Sequence, residues 1–248
     1  MAASSSLHDS YAYAETADPH VEAPQPASVA GRYDPYVMIH KGIRALITDT
    51  LLRAGRMDPF DDDDTTEVVG RIRDLARLAE SHAHHEERFI HLAMEARAPG
   101  STRHVEEDHR THREALARLV AGCDAVVRRT GAARAGAALD LYRALALYVA
   151  KDLVHMHAEE TENNAVLWGT YSDAELVALT ERLVAAVPPE ENAIFARWMA
   201  SASAPAERAQ LLANARGKMP PPAFAGMLEA IVSELRAKDL GKLEAALA

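Results

Sequence analysis

The segment SHAHHEERFIHLAME, residues 81–95, decides the fold because it combines the spacing of a helix with the chemistry of a buried site. Within it, Glu86 follows His82 by four residues. A second segment, KDLVHMHAEETENN at residues 151–164, places Glu159 four residues after His155. Side chains at positions i and i+4 of an α-helix lie one above the other on one face, here the face that also carries the apolar residues. We therefore predict two amphipathic helices that direct a histidine and a carboxylate toward the interior.

Helical periodicity extends on both sides of these segments. From Tyr33 onward, apolar residues recur at three- and four-residue spacing, and the alternation typical of strands is missing. This pattern predicts an all-α protein in which four long helices form an up-down-up-down four-helix bundle. An acidic run at 61–64 is expected to complement the dipole at the start of the second helix, and residues 131–136 are expected to separate the third and fourth helices. The predicted helices cover residues 35–55, 65–96, 101–130 and 137–168.

The sequence predicts three parts along the chain. Residues 1–32 are rich in Ala, Ser, Pro and acidic residues without apolar periodicity, which is typical of a disordered leader. Residues 33–170 form the predicted bundle. Residues 171–248 form a predicted C-terminal helical extension, which begins with a Ser172–Glu175 capping box and which we expect to pack on the bundle or to contact a partner. Its helices are predicted near residues 172–187, 190–201, 204–215 and 221–246.

Composition excludes several classes of protein. The 248 residues carry a formal net charge of −10, which argues against a nucleic-acid partner. The single cysteine, Cys123, cannot form an intrachain disulfide or a cysteine-rich zinc module, so we expect a reducing, cytoplasmic location. No apolar run approaches the roughly 18 residues that span a bilayer, so we expect no membrane partner.

Histidines concentrate on the predicted bundle helices. Two of the twelve lie in the leader, the other ten lie on the four bundle helices, and the extension has none. Each bundle helix has at least one histidine in phase with its apolar residues. Four others are expected to face solvent: His84, His91, His104 and His157.

A buried group of imidazoles and carboxylates indicates a metal site. Such groups cost several kcal/mol to bury unless they are paired or bind a metal ion. Nitrogen and oxygen ligands without thiolate favour iron, manganese or zinc over calcium or a soft metal. About six ligands are too many for one tetrahedral zinc ion and suit two ions bridged by carboxylates. The first-choice ligands are His40, His82, Glu86, His109, His155 and Glu159.

These motifs resemble the hemerythrin-like, HHE cation-binding proteins. The matching pieces are His40 in MIHKGIR, His82 and Glu86 in HAHHEERF, His109 in EEDHRTH, and His155 with Glu159 or Glu160 in HMHAEET. The resemblance covers about residues 34–172. It implies a four-helix bundle with a non-haem diiron centre that binds or reacts with a small diatomic molecule, dioxygen or nitric oxide, or with peroxide.

The chain departs from the family pattern on two helices. Helix three usually carries H-x-x-x-H, whereas here His109 and His112 are three residues apart, so either can be the ligand. On helix four, helical phase favours Glu159, and a local helix distortion would select Glu160. His85, beside the apolar stripe, is a further alternate ligand. A longer carboxylate or a missing imidazole favours a site less suited to reversible oxygen carriage.

Other functions fit the residues less well. A zinc hydrolase motif H-E-x-x-H would need histidine at position 89, which is Phe89. Ferritin-like oxidases use Glu-x-x-His pairs, the reverse order of the pairs here. The main alternative is a helical partner-binding or regulatory protein with a mononuclear iron or zinc site, or a degenerate one. The sequence leaves open whether the protein is an enzyme.

Overall fold

The computed structural model describes residues 31–232, 235 and 237–247, and these residues form nine helices and no strand. Two of the helices are α-helices interrupted by a π-helical turn. The predicted leader, residues 1–32, lies outside the described residues except for Gly31 and Arg32. The helices are α1 Val37–Arg56; α2 Asp62–His85, continued by the π turn Glu86–His91 and by Leu92–Arg97; α3 Arg103–Val127; α4 Gly131–Ala158, continued by the π turn Glu159–Asn163 and by Asn164–Thr170; α5 Asp173–Ala186; α6 Pro189–Ala202; α7 Pro205–Lys218; α8 Pro221–Val232; and α9 Ala237–Leu247.

Helices α1 to α4 form the predicted up-down-up-down bundle, so the all-α prediction is confirmed. Each helix packs against the next along the chain, and α4 packs back against α1. The main core lies between them, and its most deeply buried side chains include Ile47, Ile72, Leu75, Leu119 and Leu145. A second apolar cluster, which includes Ile90, Met94 and Leu167, lies further along α2 and α4.

The π turns change which residues face inward. A π turn adds one residue to the helix relative to a regular α-helical path, so residues after it are displaced around the helix axis. The predicted stripe of α2 continues from Glu86 to Phe89 and Ala93, but the structure buries Ile90 and Met94 instead. The predicted inward-facing positions after Glu86 were therefore wrong, each by one residue.

Helix boundaries differ from the predicted ones at three places. Helix α2 begins at Asp62, inside the acidic run, and the Asp61 side chain accepts hydrogen bonds from the backbone N–H groups of Asp63 and Asp64. The dipole explanation of this run is thus supported by a direct cap. Helix α4 begins at Gly131, so the segment 131–136 is helical and does not separate two helices. The predicted helix 221–246 is divided, ending first at Val232 and beginning again at Ala237.

Of the C-terminal helices, α5 and α6 pack on the bundle. The predicted capping box at Ser172 and Glu175 is present at the start of α5, which covers the second apolar cluster through Leu176 and Leu179. Helix α6 lies along α1, where a Cβ atom on Gly42 would be 2.9 Å from the backbone nitrogen of Met199. Helices α6 to α9 share a third apolar cluster. The division into parts at residues 33–170 and 171–248 stays a prediction.

None of the helices among the described residues is both long and apolar enough to cross a membrane.

Candidate metal centre

Four histidines, one from each bundle helix, meet at the same level of the bundle. They are His40 on α1, His82 on α2, His109 on α3 and His155 on α4. His40 and His109 are at most 1% exposed, and His155 is 6% exposed. His82 is half-buried at the edge of the group. Sequence reasoning places all four here because each lies in phase with the apolar stripe of its helix.

Two buried glutamates lie between these histidines. Glu86 and Glu159 are each the first residue of a π turn, and their exposed fractions are 3% and 0%. Each follows a cluster histidine by one helical turn, Glu86 after His82 and Glu159 after His155. These six residues, the His/Glu cluster, are the six first-choice ligands of the sequence prediction, and the structure brings all six together.

Distances divide the His/Glu cluster into two groups that share Glu86. In the first, Glu86 Oε1 lies 3.2 Å from His82 Nε2 and 3.7 Å from His40 Nε2. In the second, Glu86 Oε2 lies 3.7 Å from His109 Nε2, and Glu159 Oε2 lies 3.4 Å from His155 Nε2. Glu159 also approaches His40 at 3.4 Å, so the two groups are in contact. The two oxygens of Glu86 therefore face different histidines.

The donor atoms of the cluster fit metal ions. Both oxygens of Glu86, both oxygens of Glu159, and the Nε2 atoms of His40 and His82 are buried without a hydrogen-bond partner. Buried polar atoms rarely lack a partner in native proteins, because each one costs free energy. Ligand atoms about 2.0–2.2 Å from one ion lie roughly 3–4 Å from each other, which is the range seen here. Imidazole nitrogen and carboxylate oxygen are ligands for iron, manganese and zinc.

An outer carboxylate lies near the other ring nitrogen of three cluster histidines and forms a hydrogen bond with two of them. Glu160 lies 3.1 Å from Nδ1 of His40. Glu87 lies 3.0 Å from Nδ1 of His109, and Asp108 lies 3.5 Å from Nδ1 of His155. A carboxylate at one ring nitrogen fixes the tautomer and orients the other nitrogen toward a metal ion. The Nε2 atoms of His40 and His109 are thereby directed into the cluster, whereas Nδ1 of His155 has no hydrogen-bond partner.

Two of these outer carboxylates are themselves held by arginine, in the same way on both sides of the bundle. Arg44, four residues after His40, binds both oxygens of Glu160 at 2.6 and 2.9 Å. Arg113, four residues after His109, binds Glu87. Helices α1 and α3 thus share the pattern H-x-x-x-R, while α2 and α4 share H-x-x-x-E-E. Sequence reasoning missed both arginines, although their matched spacing from His40 and His109 was a usable signal.

Arg113 also accounts for the departure on helix three. It occupies the position four residues after His109, where the family pattern has a second histidine. An arginine stays protonated at any ordinary pH and binds a carboxylate rather than a metal ion. The structure accordingly places one cluster histidine on each helix, and α3 has no second one in the cluster.

Burial and charge set the protonation of the two glutamates in opposite directions. Burial, followed by repulsion from Glu86, raises the pKa of Glu159 well above its usual range. Burial acts in the same direction on Glu86, but the imidazoles of His82 and His40 outweigh it and lower the pKa of Glu86. The environment therefore favours ionisation of Glu86 and disfavours that of Glu159.

The histidines respond to the same environment. Burial lowers the pKa of His82 to about 4 and that of His155 to about 2, so both are neutral and able to bind a metal ion at neutral pH. Burial also acts to lower the pKa of His40, but its contacts with Glu160 and Glu86 outweigh burial and raise it.

The three alternate ligands lie next to the cluster but outside it. His85 donates from Nδ1 to the carbonyl oxygen of Ser81 at 2.6 Å. His112 contacts the ring of His155 edge-on, and its Nδ1 lies 3.7 Å from Asp152. Glu160 points to Arg44 and His40, as described above. Which residues bind a metal ion stays a prediction.

Another histidine was missed. His91 was expected to face solvent, but it is 2% exposed and its ring stacks on His109 at a centroid distance of 5.1 Å. The prediction was wrong because the π turn rotates His91 inward, and no feature of the sequence indicates that turn. His84, His104 and His157 are exposed, as expected.

A small cavity adjoins the cluster. Its volume is about 20 Å³, and its walls include His82, His109, His155 and the apolar side chains of Ile43 and Leu116. A cavity of at least about 10–15 Å³ can hold one water molecule. The space beside the cluster therefore suits a molecule of one or two heavy atoms.

Comparisons with known proteins identify the family. Neither the curated proteins nor the solved structures give a match to this chain. The family model described as the hemerythrin HHE cation-binding domain matches residues 33–166, which is more than half of the chain. The matched range contains helices α1 to α3, α4 as far as Val166 and all six residues of the His/Glu cluster, and a cation-binding domain agrees with a cluster that fits a metal site. The chain belongs to the hemerythrin HHE cation-binding domain family.

Proposed function

We propose that the His/Glu cluster holds two iron ions and that the protein binds and reacts with dioxygen, nitric oxide or peroxide. The observation that carries this proposal is the set of six buried donor atoms without hydrogen-bond partners, on two glutamates and two histidines. One ion would be held by His40, His82 and Glu86. The other would be held by His109, His155 and Glu159, with Glu86 bridging the two ions through its second oxygen.

The surroundings of the cluster support a small ligand. The adjoining cavity has room for one or two heavy atoms, and apolar side chains such as Ile43 and Leu116 form part of its wall. Iron, when bound there, supplies electrons and an open coordination position. The chain's own residues orient the imidazoles, through Glu160 on His40 and through Glu87 on His109.

The same residues favour reaction over reversible carriage. Arg113 replaces the second imidazole of helix three, and Glu159 replaces a shorter aspartate on helix four. The site then has four histidines and two glutamates, with one histidine from each helix. We infer a more symmetric and more carboxylate-rich centre than that of an oxygen carrier.

We also propose a cytoplasmic location and no nucleic-acid partner. The single cysteine, Cys123, is buried in the bundle core and forms no disulfide. The net charge of −10 opposes binding to a polyanion.

Reaction of the iron-loaded protein with oxidants tests the proposal, with two α2 variants as a matched pair. His82→Ala removes a cluster imidazole, whereas His84→Ala removes an exposed one two residues away. Protein loaded with Fe(II) without air and then mixed with dioxygen or peroxide should gain near-ultraviolet charge-transfer absorption. We expect that absorption in the wild type and in His84→Ala and its loss in His82→Ala. Equal reaction in both variants, or none in the wild type, would contradict the proposal.

Oxidant consumption then separates an enzyme from a sensor. An oxygen or peroxide electrode measures how much oxidant each chain consumes in the presence of a reductant. Repeated consumption identifies an enzyme, and a single equivalent per site identifies a sensor or a store. If only one metal ion binds and no oxidant reacts, the mononuclear, partner-binding alternative is favoured.

A further inference from the structure

A second, larger cavity lies between the bundle and the C-terminal extension. Its volume is about 200 Å³, ten times that of the cavity inside the bundle. Bundle residues such as Ile39 on α1 and Ile90 on α2 form one wall. Leu183 on α5 and Phe195 and Met199 on α6 form the other. The extension therefore encloses a space that the four bundle helices alone would leave open.

The size of this cavity fits a small organic molecule. An apolar cavity of about 150 Å³ inside a protein is large enough to bind benzene. A cavity of about 200 Å³ is thus larger than dioxygen or peroxide needs and has the volume for a six-membered ring with a substituent.

The lining indicates a neutral and mostly apolar occupant. Hydrocarbon and thioether side chains form most of the walls, and no lysine or arginine is among the described residues that line them. The carboxylates of Asp34 and Glu86 line the cavity as well, which disfavours an anion such as a fatty acid. Thr180 also lines it, and its buried hydroxyl has no hydrogen-bond partner. A buried hydroxyl without a partner is costly, so it favours an occupant with one polar group.

The cavity also reaches the His/Glu cluster. His82 and Glu86, which belong to the cluster, line it at one end, next to His85. A molecule bound here would contact both the extension and the predicted ligands of the metal centre.

We propose that this cavity binds a neutral, mainly apolar organic molecule of about the size of a substituted benzene, with its polar group on the Thr180 hydroxyl. Binding at this place does not require a metal ion. Its action as a substrate or regulator of the metal centre rests on the proposed function.

Binding is tested on the full, metal-free chain by NMR of ¹³C-labelled methionine methyl groups. Met38 and Met199 line the cavity, whereas Met57 and Met227 lie elsewhere and serve as internal references. The probes are toluene and phenol, with benzoate as the anionic comparison. We expect saturable shifts of Met38 and Met199 with toluene and phenol, and none with benzoate. No saturable shift with toluene and phenol, or benzoate binding as tightly as phenol, would overturn the proposal.

Three variants locate the binding. Val187→Phe fills the cavity and should lower the affinity for toluene and phenol about tenfold or more. Val177→Phe, at an exposed position of α5, should leave both affinities unchanged. Thr180→Val should lower the affinity for phenol about two- to tenfold and leave the affinity for toluene unchanged. Equal affinities in Val187→Phe and Val177→Phe would overturn the assignment. Because these measurements use metal-free protein, their failure is distinct from a failure of the diiron proposal.

Discussion

At the residue scale, adjacent glutamates have opposite roles in this cluster. Glu86 and Glu159 direct both oxygens inward, whereas Glu87 and Glu160, the next residues, turn outward to a histidine Nδ1 on a neighbouring helix. Helical phase alone favours Glu159 over Glu160, because Glu159 lies one turn after His155. The role of the second glutamate depends on the arginine opposite it, Arg44 for Glu160, and that contact between helices cannot be read from spacing along one helix.

Glu160→Gln tests the role of an outer carboxylate. The substitution removes the negative charge that Arg44 and His40 Nδ1 share, so we expect metal affinity to fall about 10–100-fold. Glu162→Gln is the control, because Glu162 is exposed in the same π turn and pairs with the exposed His104. Competition with a chelator measures both affinities. Equal affinity in Glu160→Gln and wild type would show that the carboxylate does not position His40.

Asp152→Asn tests a buried carboxyl group beside the cluster. Burial raises the pKa of Asp152 from 3.8 to about 6, although the Tyr148 hydroxyl donates a hydrogen bond to its Oδ1. The folded protein therefore keeps a proton between about pH 4 and pH 6 that the unfolded chain has lost, and stability from this group falls as pH rises through that range. His112 Nδ1, at 3.7 Å, is the nearest facing imidazole.

The Asn variant should escape this loss. Between about pH 4 and pH 8 the wild type should lose about 2–3 kcal/mol of its free energy of unfolding that metal-free Asp152→Asn keeps, so the variant should gain that much stability relative to the wild type at the higher pH. Urea denaturation at both pH values measures the difference. If the wild type and the variant differ by the same free energy of unfolding at both pH values, the pKa of Asp152 is not raised.

At the scale of elements, the π turns decide how far the sequence predicts the site. Before Glu86, the three- and four-residue spacing of Ile72, Leu75 and His82 identifies the inward face correctly. After Glu86 the extra residue displaces that face, which moves His91 from solvent into the core. The residues of a π turn follow no local pattern, because the turn depends on packing between helices. The cluster residues were predictable because His40 and His109 lie on helices without such a turn, and the other four lie at or before the start of one.

Gly42→Ala tests the close crossing of α1 and α6. An added Cβ would lie 2.9 Å from the backbone nitrogen of Met199, so one helix must move, and we expect a loss of about 1–3 kcal/mol in the free energy of unfolding. Gly70→Ala is the matched control within α2, where a Cβ meets nothing within 4 Å. There alanine should stabilise the helix by up to about 1 kcal/mol. Urea denaturation should rank the variants in that order, and Gly42→Ala as stable as Gly70→Ala would refute the close crossing.

At the scale of the whole molecule, the bundle follows from the sequence, and the contacts of the extension do not. Long amphipathic helices with short connections leave few ways to bury their apolar faces, so α1 to α4 were predictable. The packing of α6 against α1 depends on the close approach of Gly42 to Met199, and no periodic pattern in the sequence indicates that these two residues are in contact. The helix break after Val232 was also missed, because the sequence there has neither glycine nor proline.

Metal removal should destabilise the whole fold. The cluster joins all four bundle helices, and an ion that binds only the folded chain adds about 2.7 kcal/mol at a free concentration 100 times its Kd. For a chain of this size each kcal/mol raises Tm by about 2–4 °C, so each bound ion should raise Tm by about 5–10 °C. Calorimetry with and without metal measures the change. His84→Ala should keep the rise in Tm on metal loading, and His82→Ala should lose most of it. An equal rise in both variants would place the stabilising ion outside the cluster.

The number of iron ions per chain tests the central claim most directly. Protein saturated with Fe(II) without air and freed of excess metal is analysed for elements and for protein concentration. The shared position of Glu86 between two groups of histidines predicts two iron ions per chain. One ion per chain, or none retained by a folded protein, would contradict a diiron centre.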